Sequence, residues 1–338
     1  MGSRRATIVD VGLMAGVSTK TVSRVFNDQP NVSDDVRLRV RAAAKALDYH
    51  PNVLAQALVR RRSNLIGLVH ENPSASYVVE LQRGVLSRLR EGRYRLVVIP
   101  VTSVAAREHE ILGLLRSAAL DGVVLSPPAS DNLRVLSDLT AAGIRFGRIA
   151  PTLSLEAGPS NTMDDVAASR QMAEHLIGLG HRRIGIIQGH PAHPASEARM
   201  QGYAEAFAAA GIPLVPDHVE QGLFTRPSGY EAANRMFDKG WGPTAILSQN
   251  DDMAVGTLMA ARERGLDVPK DVSVVGFDDS EVSRITWPTI TTIHQPVQEM
   301  AASATDMVIA QLEGTEVTMH REHPYELLIR QSSGPPRA

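Results

Sequence analysis

The sequence predicts a small all-α headpiece followed by a much larger parallel α/β region. Three observations carry that reading. Residues 7–25 form two short amphipathic stretches separated by Gly16-Val17-Ser18. From residue 63 onward, β-branched apolar runs alternate with helical periodicity. The charge also divides sharply: residues 1–62 hold eleven Lys and Arg against five Asp and Glu, a net +6, and the remaining residues hold 24 against 32, a net −8. The overall −2 of the 338-residue chain therefore conceals a basic end on an acidic body.

In chain order, Ile8, Val11 and Met14 give the first stretch an apolar stripe, and Gly16 supplies a bend. Ser18 is placed to cap a second helix that buries Val22 and Val25 and turns Thr19, Lys20, Ser23 and Arg24 outward. Two helices across one tight turn make a helix-turn-helix. A helix fits the major groove, where Lys or Arg donates to guanine O6 and N7 and Thr reaches base edges or phosphates. The same spacing also occurs in helical proteins that bind no DNA, so the flanking residues matter. A third helix is signalled by Ser33 as N-cap, Asp34 and Asp35 in the first turn, and Val36, Val40, Ala44 and Leu47 on one face. Pro51 opens the segment 52–59, and Arg60-Arg61-Arg62 follows. A basic end suits phosphate neutralisation by one end of the molecule. Some of Arg37, Arg39 and Arg41 are expected to be plain solvated positions.

Beyond residue 63 the apolar runs predict strands over 65–69, 95–101, 122–125, 184–188, 244–247 and 272–276. Helices are predicted over 78–90, 105–117, 166–179, 197–210, 228–238 and 253–264. This βαβ order implies parallel sheets covered on both faces. Similar units before and after about residue 163 suggest two doubly wound lobes, while periodicity alone leaves a barrel open. In open α/β sheets ligands lie beyond the carboxyl ends of strands. The segments there are His70–Tyr77, Gly189–Arg199, Phe224, Gln249-Asn250-Asp251-Asp252 and Phe277-Asp278-Asp279. Hydrogen-bonding groups among a few aromatic faces describe a pocket for a small polar ligand, most readily a sugar.

At 43% hydrophobic residues the chain can bury a large core. It shows no signal-peptide pattern and no apolar run of about 18 residues, so neither export nor a membrane partner is expected. Met1-Gly2 lacks the Ser or Thr that myristoylation wants, because Ala6 stands there. With no cysteine, disulfides, thiolate metal sites and cysteine catalysis are excluded. The expected location is the cytoplasm, with the nucleoid, and no cofactor or metal is expected. An enzyme finds little support: Gly67-Leu-Val-His-Glu-Asn is not a dinucleotide fingerprint, and no phosphate-binding glycine loop exists. Asp251, Asp252, Asp278 and Asp279 could be imagined as an acid–base or metal cluster, but capping a helix is the expected role for Asp251 or Asp252.

Seven dispersed blocks appear in order: Thr7-Ile-Val-Asp-Val through Arg24, Tyr49-His-Pro-Asn52, Gly180-His-Arg-Arg-Ile-Gly185, Arg199 with Gly202-Tyr203, Asn250-Asp-Asp-Met-Ala-Val-Gly256, Val274-Val-Gly-Phe-Asp278 and Thr291-Thr-Ile-His-Gln-Pro296. With them the chain resembles the LacI/GalR family of bacterial transcription regulators over nearly its full length. The resemblance implies a helix-turn-helix headpiece over 1–50, a hinge helix and linker over 51–62, and a periplasmic-binding-protein-like core. It places 63–162 with 292–323 in the first lobe and 163–291 with 324–338 in the second.

For DNA contact the resemblance implies Thr7, Ser18, Thr19, Lys20, Ser23, Arg24, Asn27, Asn52, Ala55 and Leu58, with Leu58 wedging into a minor-groove step; its alternative role is a small helix core. For the effector it implies Tyr77, Ser126, His193, Arg199, Phe224, Asn250 and Asp278. Arg199 donates to effector oxygens, Asp278 accepts from hydroxyls, and Phe224 offers a stacking face. Ser196 lies in the same variable segment. Ala150-Pro151 stands where many relatives carry an acidic residue. Trp287 is a candidate second aromatic, or a packing residue at the lobe junction. The tail after Gln331 has no heptads, which implies a homodimer rather than a coiled-coil tetramer. The expected function is a repressor of sugar-utilisation genes on a pseudo-palindromic operator; the alternative is purine regulation with a co-repressor.

Overall fold

The computed structural model describes residues 6–26, 29–49, 62–71 and 74–337. The chain divides into two compact units, 1–64 and 65–338. The smaller contains α1 (Ile8–Ala15), α2 (Thr19–Phe26) and α3 (Asp34–Ala46). Val11, Ala15, Val22, Val25, Val40, Ala43 and Ala44 form its core. Met14, expected in that core, is 55% exposed. In an eight-residue helix the stripe rotates to Val11 and Ala15, four residues apart, and three-residue spacing from Val11 points outward. The expected hinge and contacts at Asn27, Asn52, Ala55 and Leu58 lie outside the described residues.

The larger unit contains two open parallel sheets, so the doubly wound alternative holds over the barrel. The first comprises β1 (Leu65–His70), β2 (Arg95–Pro100), β3 (Gly122–Leu125), β4 (Arg145–Ile149), β5 (Ser160–Thr162) and β11 (His320–Glu322), ordered β11-β5-β4-β3-β1-β2. The second comprises β6 (Ile184–Gln188), β7 (Val219–Gln221), β8 (Ala245–Ser248) and β9 (Ser273–Val275), ordered β7-β6-β8-β9. In each sheet the strand order reverses beside the first strand, between β1 and β3 and between β6 and β8. Those two switch points are where a doubly wound sheet opens a crevice at its carboxyl edge.

Helices cover the sheets. In the first lobe, α4 (Ala75–Leu89) and α12 (Val297–Glu313) bury Leu81, Val85, Met300, Ala304 and Val308 on one face. On the other, α5 (Val104–Ser117) and α6 (Leu133–Ala141) bury Ile111, Leu115, Leu136 and Leu139. In the second lobe α7 (Asp165–Gly178) packs on α8 (Pro194–Ala209), and α9 (Arg226–Asp238) on α10 (Asp251–Glu263). A short α11 (Glu281–Ile285) precedes β10 (Thr292–His294), which pairs antiparallel with β12 (Glu326–Leu328). Bridges Val275↔Thr291 and Asp278↔His294 hold β10 beside β9, so the chain stays with the second sheet through His294. The crossing expected at 292 thus falls a few residues later.

The helices begin slightly earlier than periodicity indicates because polar N-terminal turns carry no apolar signal: α4 is capped by Ser74, α7 by Asp164 and α10 by Asn250. Strand β4 escapes the apolar pattern because Arg-Phe-Gly-Arg-Ile contains two charges. Arg148 is nevertheless wholly buried. Its guanidinium donates to the carbonyls of Ser130, Ser154 and Leu153, each at 2.7 Å, replacing the water it loses. No described helix is long and apolar enough to cross a membrane.

The α4–α12 contact sets a tight limit. A Cβ at Gly84 would lie 2.3 Å from the Gln298 carbonyl oxygen and 2.7 Å from Ala301 Cβ. Gly84→Ala is expected to destabilise the protein by about 1–3 kcal/mol through forced separation of the helices, despite the higher helix propensity of Ala. Thermal unfolding of the two proteins checks this; an unchanged or raised Tm contradicts it.

Candidate functional site

In the headpiece, Thr7 closes a capping box: its N–H donates to Asp10 Oδ2 at 2.8 Å and the Asp10 N–H donates back to Thr7 Oγ1 at 3.4 Å, with the Thr7 hydroxyl also donating to Asp10 Oδ2 at 2.7 Å. Gly16 takes the left-handed conformation that ends α1, with φ +66°. Ser18 Oγ accepts from the Thr21 N–H at 3.1 Å and so caps α2. Thr7 and Ser18, both expected at DNA, thus have a structural hydroxyl role. Thr19, Lys20 and Arg24 are exposed and Ser23 is half-buried. Lys20 and Arg24, four apart on one helix face, form no ion pair with any described residue. Two arginines of α3 also brace the headpiece, although Arg39 and Arg41 are exposed. Arg39 donates to the Ala15 carbonyl at 3.2 Å, and Arg37 to Val32 at 3.3 Å and to Gln29.

The second site lies in the larger unit, where the carboxyl ends of both sheets face a narrow cleft of about 30 Å³. Six of the seven expected residues line it: Tyr77, His193, Arg199, Phe224, Asn250 and Asp278. Arg199, on α8, is at its centre. Its Nε donates to Asp165 Oδ1 at 2.9 Å, Nη1 to the Gln249 carbonyl at 2.5 Å and Nη2 to Gln295 Oε1 at 3.3 Å. Asp278 Oδ1 stands 3.8 Å from Nη1, and the guanidinium carbon lies 3.6 Å from the Phe277 ring centroid. Burial opposes the Arg199 charge, yet Asp165 and Asp278 more than restore it and raise its pKa. Burial pushes the Asp165 and Asp278 carboxyls up, with Arg199 acting against it; Asp251 and Asp252 push Asp278 further. Asp278 also has φ +110°, a backbone conformation side chains rarely take, and the bridge to β10 holds it there.

Phe224 is similarly held, with φ +61° and its carbonyl accepting from Asn250 Nδ2 at 3.0 Å. Only glycine fits beneath it, since a Cβ at Gly189 would fall 2.1 Å from Phe224 Cζ. Burial holds the Tyr77 phenol protonated, far above its usual range, and Asp278 adds to this. His193 is buried, and its ring meets Phe224 edge-on at 5.6 Å. Burial, with His190 and Arg199 adding to it, lowers the His193 pKa to about 4.

Several expectations change. Ser126 does not line the cleft; its hydroxyl donates to the Val69 carbonyl at 3.2 Å, and the neighbouring Pro127 takes the lining place. Ser196 likewise donates to His190, at 3.0 Å. Asn250 lines the cleft but has both amide ends engaged, because its Oδ1 caps α10 through the Met253 N–H at 2.9 Å. It therefore performs the capping expected of Asp251 or Asp252. Asp251 instead accepts from the Ser280 N–H at 2.8 Å and the Thr292 hydroxyl at 2.7 Å. Asp252 accepts from Ser74 Oγ at 2.6 Å, joining the two lobes across the cleft. Trp287 is 82% exposed and lines a separate groove with Met259. Asp165 lies outside every segment the sequence marks, while Gln249 and Gln295 fall in the Gln249–Asp252 segment and the Thr291–Pro296 block without being expected contacts. Ala150, φ +44°, lines the cleft. No group of three or more metal-ligating side chains occurs among the described residues.

Residues 7–52 match the description "Bacterial regulatory proteins, lacI family", and residues 173–333 match "Periplasmic binding protein-like domain". The HTH-type transcriptional repressor PurR of Pasteurella multocida is 31% identical over 337 residues, covering 97% of this chain and 98% of the relative. The chain belongs to the lacI family of bacterial regulatory proteins. Two solved structures match nearly the full chain. The lac repressor dimer bound to operator and the anti-inducer ONPF gives a TM-score of 0.83 at 28% identity, covering 98% of this chain and all of the other. A transcriptional regulator CelR–cellobiose complex gives 0.73 at 30%, covering 97% and 100%. This lacI-family chain is a DNA-binding transcriptional regulator and not an enzyme.

The neutral, buried His193 has a measurable consequence. The unfolded chain takes up a proton near pH 6.5 and the folded chain only near 4, so acidification across that interval withdraws stability, up to about 3 kcal/mol at its lower end. His193→Phe is expected to lose less Tm than the parent between pH 7 and pH 4.5. Equal losses in paired melts contradict the assignment.

Proposed function

We propose that this regulator is a repressor that binds a pseudo-palindromic operator as a homodimer and releases or engages it in response to a sugar held in the Arg199 cleft. The observation that carries the ligand reading is the pairing of Arg199 with Asp278 beside the Phe224 ring. A donor and an acceptor that face each other orient hydroxyls, and an aromatic ring takes the apolar face of a pyranose. The CelR relative holding cellobiose supports the same class. Two-fold symmetry of the dimer requires two half-sites, and the lac repressor relative binds its operator as a dimer. Thr19, Lys20, Ser23 and Arg24 form the reading face, while Thr7 and Ser18 position it. Binding in the cleft changes operator affinity by stabilising one arrangement of the lobes over another.

Fluorescence anisotropy on palindromes from the upstream region of the gene tests the DNA half. Arg24→Ala is expected to weaken a cognate site by about 1–3 kcal/mol and to relax its sequence preference, with fold and ligand binding intact. Uniform weakening across all sequences would make Arg24 a phosphate contact only. A thermal-shift screen of mono- and disaccharides and nucleobases tests the other half: a ligand at 100 times its Kd adds about 2.7 kcal/mol of stability. A shift with nucleobases and none with saccharides contradicts the sugar reading.

A further inference from the structure

We propose that Arg148 is a positioning residue for effector recognition: together with Asp131 it joins the loops that follow β3 and β4, and so fixes the first-lobe wall of the cleft. The inference rests on the reading of that cleft as the effector site and adds to it a residue that touches no effector. Strands β3 and β4 lie side by side in the first sheet, and their carboxyl ends meet this wall. Pro127, two residues past β3, and Ala150, directly after β4, both line the cleft.

The same two side chains hold both loops. Arg148 Nε donates to the Ser130 carbonyl in the first loop, while Nη1 and Nη2 donate to the Ser154 and Leu153 carbonyls in the second, each at 2.7 Å. Asp131 makes the tie from the other side: its Oδ1 accepts from the Thr152 N–H at 2.9 Å and the Leu153 N–H at 2.8 Å. Nη2 and Oδ1 stand 4.0 Å apart. Burial lowers the Arg148 pKa against the pull of Asp131, and raises that of Asp131 against the Leu153 and Thr152 N–H groups and Arg148. The second loop needs such a tie. Ala150 and Ser154 have φ of +44° and +48°, a conformation that side chains rarely adopt and that persists only where the surroundings fix it.

Fold stability is a poor reason to keep this pair. Replacing a buried ion pair by well-packed apolar side chains of similar volume is often neutral or stabilising. What an apolar residue cannot do is bond three carbonyls from two loops. The flat guanidinium, with five donors in a fixed fork, does so, and the single ammonium of lysine on its flexible stem does not. Pro127 and Ala150 bring no charged group to the cleft, so this wall contributes shape. A wall that recognises by shape has to keep its place to within about 0.5 Å, which requires the two loops to keep their separation.

The chain contains no cysteine, so a cysteine introduced at Ala150 is its sole thiol and reports on this wall. Ala150 is 7% exposed, and Ala150→Cys in the full-length chain is expected to react slowly with the thiol reagent DTNB. Adding Arg148→Met or Asp131→Ala is expected to speed the reaction tenfold or more, and adding both to do little beyond either, because they cut the same tie. Asp131→Asn, whose amide oxygen still accepts from Thr152 and Leu153, should leave the rate near that of Ala150→Cys alone. Calorimetric titration of the variants without the added cysteine reads the consequence for recognition, with glucose, galactose, ribose, cellobiose, adenine and guanine as probes. A probe that binds the parent should lose tenfold or more in affinity for Arg148→Met and keep it for Asp131→Asn. Melts show that each variant is folded at the titration temperature, and Arg148→Lys, with the same expectation, replaces Arg148→Met if the latter does not fold. Either an unchanged thiol rate or an unchanged affinity in a folded Arg148 variant overturns the role of Arg148 and leaves the effector cleft standing. Failure of every probe to bind the parent overturns the sugar reading instead, and the thiol rate then decides whether Arg148 holds the wall.

Discussion

Arg199 sets the terms for the larger unit. It is 4% exposed, and taking a guanidinium out of water costs several kcal/mol unless charge and hydrogen bonds replace the solvent. The replacements come from Asp165 at the start of α7, Gln249 after β8, Asp278 after β9 and Gln295 after β10. Four segments distant in sequence thus converge on one side chain, and Phe277 closes its face. Removing the guanidinium would leave two buried carboxylates close together, with no cation between them. The cleft floor is therefore as rigid as this network, which fixes the positions of the neighbouring Tyr77, His193 and Phe224.

The walls of the cleft belong to different lobes, and few bonds join them. The Ser74 hydroxyl donates to Asp252 at 2.6 Å, which ties the segment after β1 to the start of α10. Such contacts are individually modest. A ligand that bonds both lobes adds to them and shifts the balance between open and closed arrangements in proportion to its preference for one. The headpiece follows a different economy of charge. Arg37 and Arg39 hold the turn and the end of α1 in place, leaving Lys20 and Arg24 exposed for phosphates or bases.

Much of this was legible in the sequence because parallel strands buried on both faces read as apolar runs, and because the motif blocks mark strand ends where ligands bind. Residues 122–125 and 184–188 emerge as strands with unchanged bounds. Arg199 and Asp278 were identified by the family resemblance rather than by any local pattern. What escaped is long-range polar chemistry. Nothing near Asp165 announces Arg199, 34 residues away, and nothing near Ser74 announces Asp252, 178 residues away. Ser126 and Asn250 looked like ligand contacts because of their positions, but carbonyls and a helix end within the protein already satisfy them. Met14 failed for a simpler reason: over two turns, three- and four-residue spacings fit the same letters.

The central claim is that the Arg199 cleft and the reading face on α2 are coupled sites of one regulator. Coupling free energy is reciprocal, so ligand affinity and operator affinity must change each other by the same factor. The direct measurement is the Kd of a saccharide for the full-length protein, free and saturated with operator, set against the operator Kd with and without saccharide. The account predicts two equal ratios, each differing from one by fivefold or more. A saccharide Kd that operator DNA leaves unchanged would contradict it.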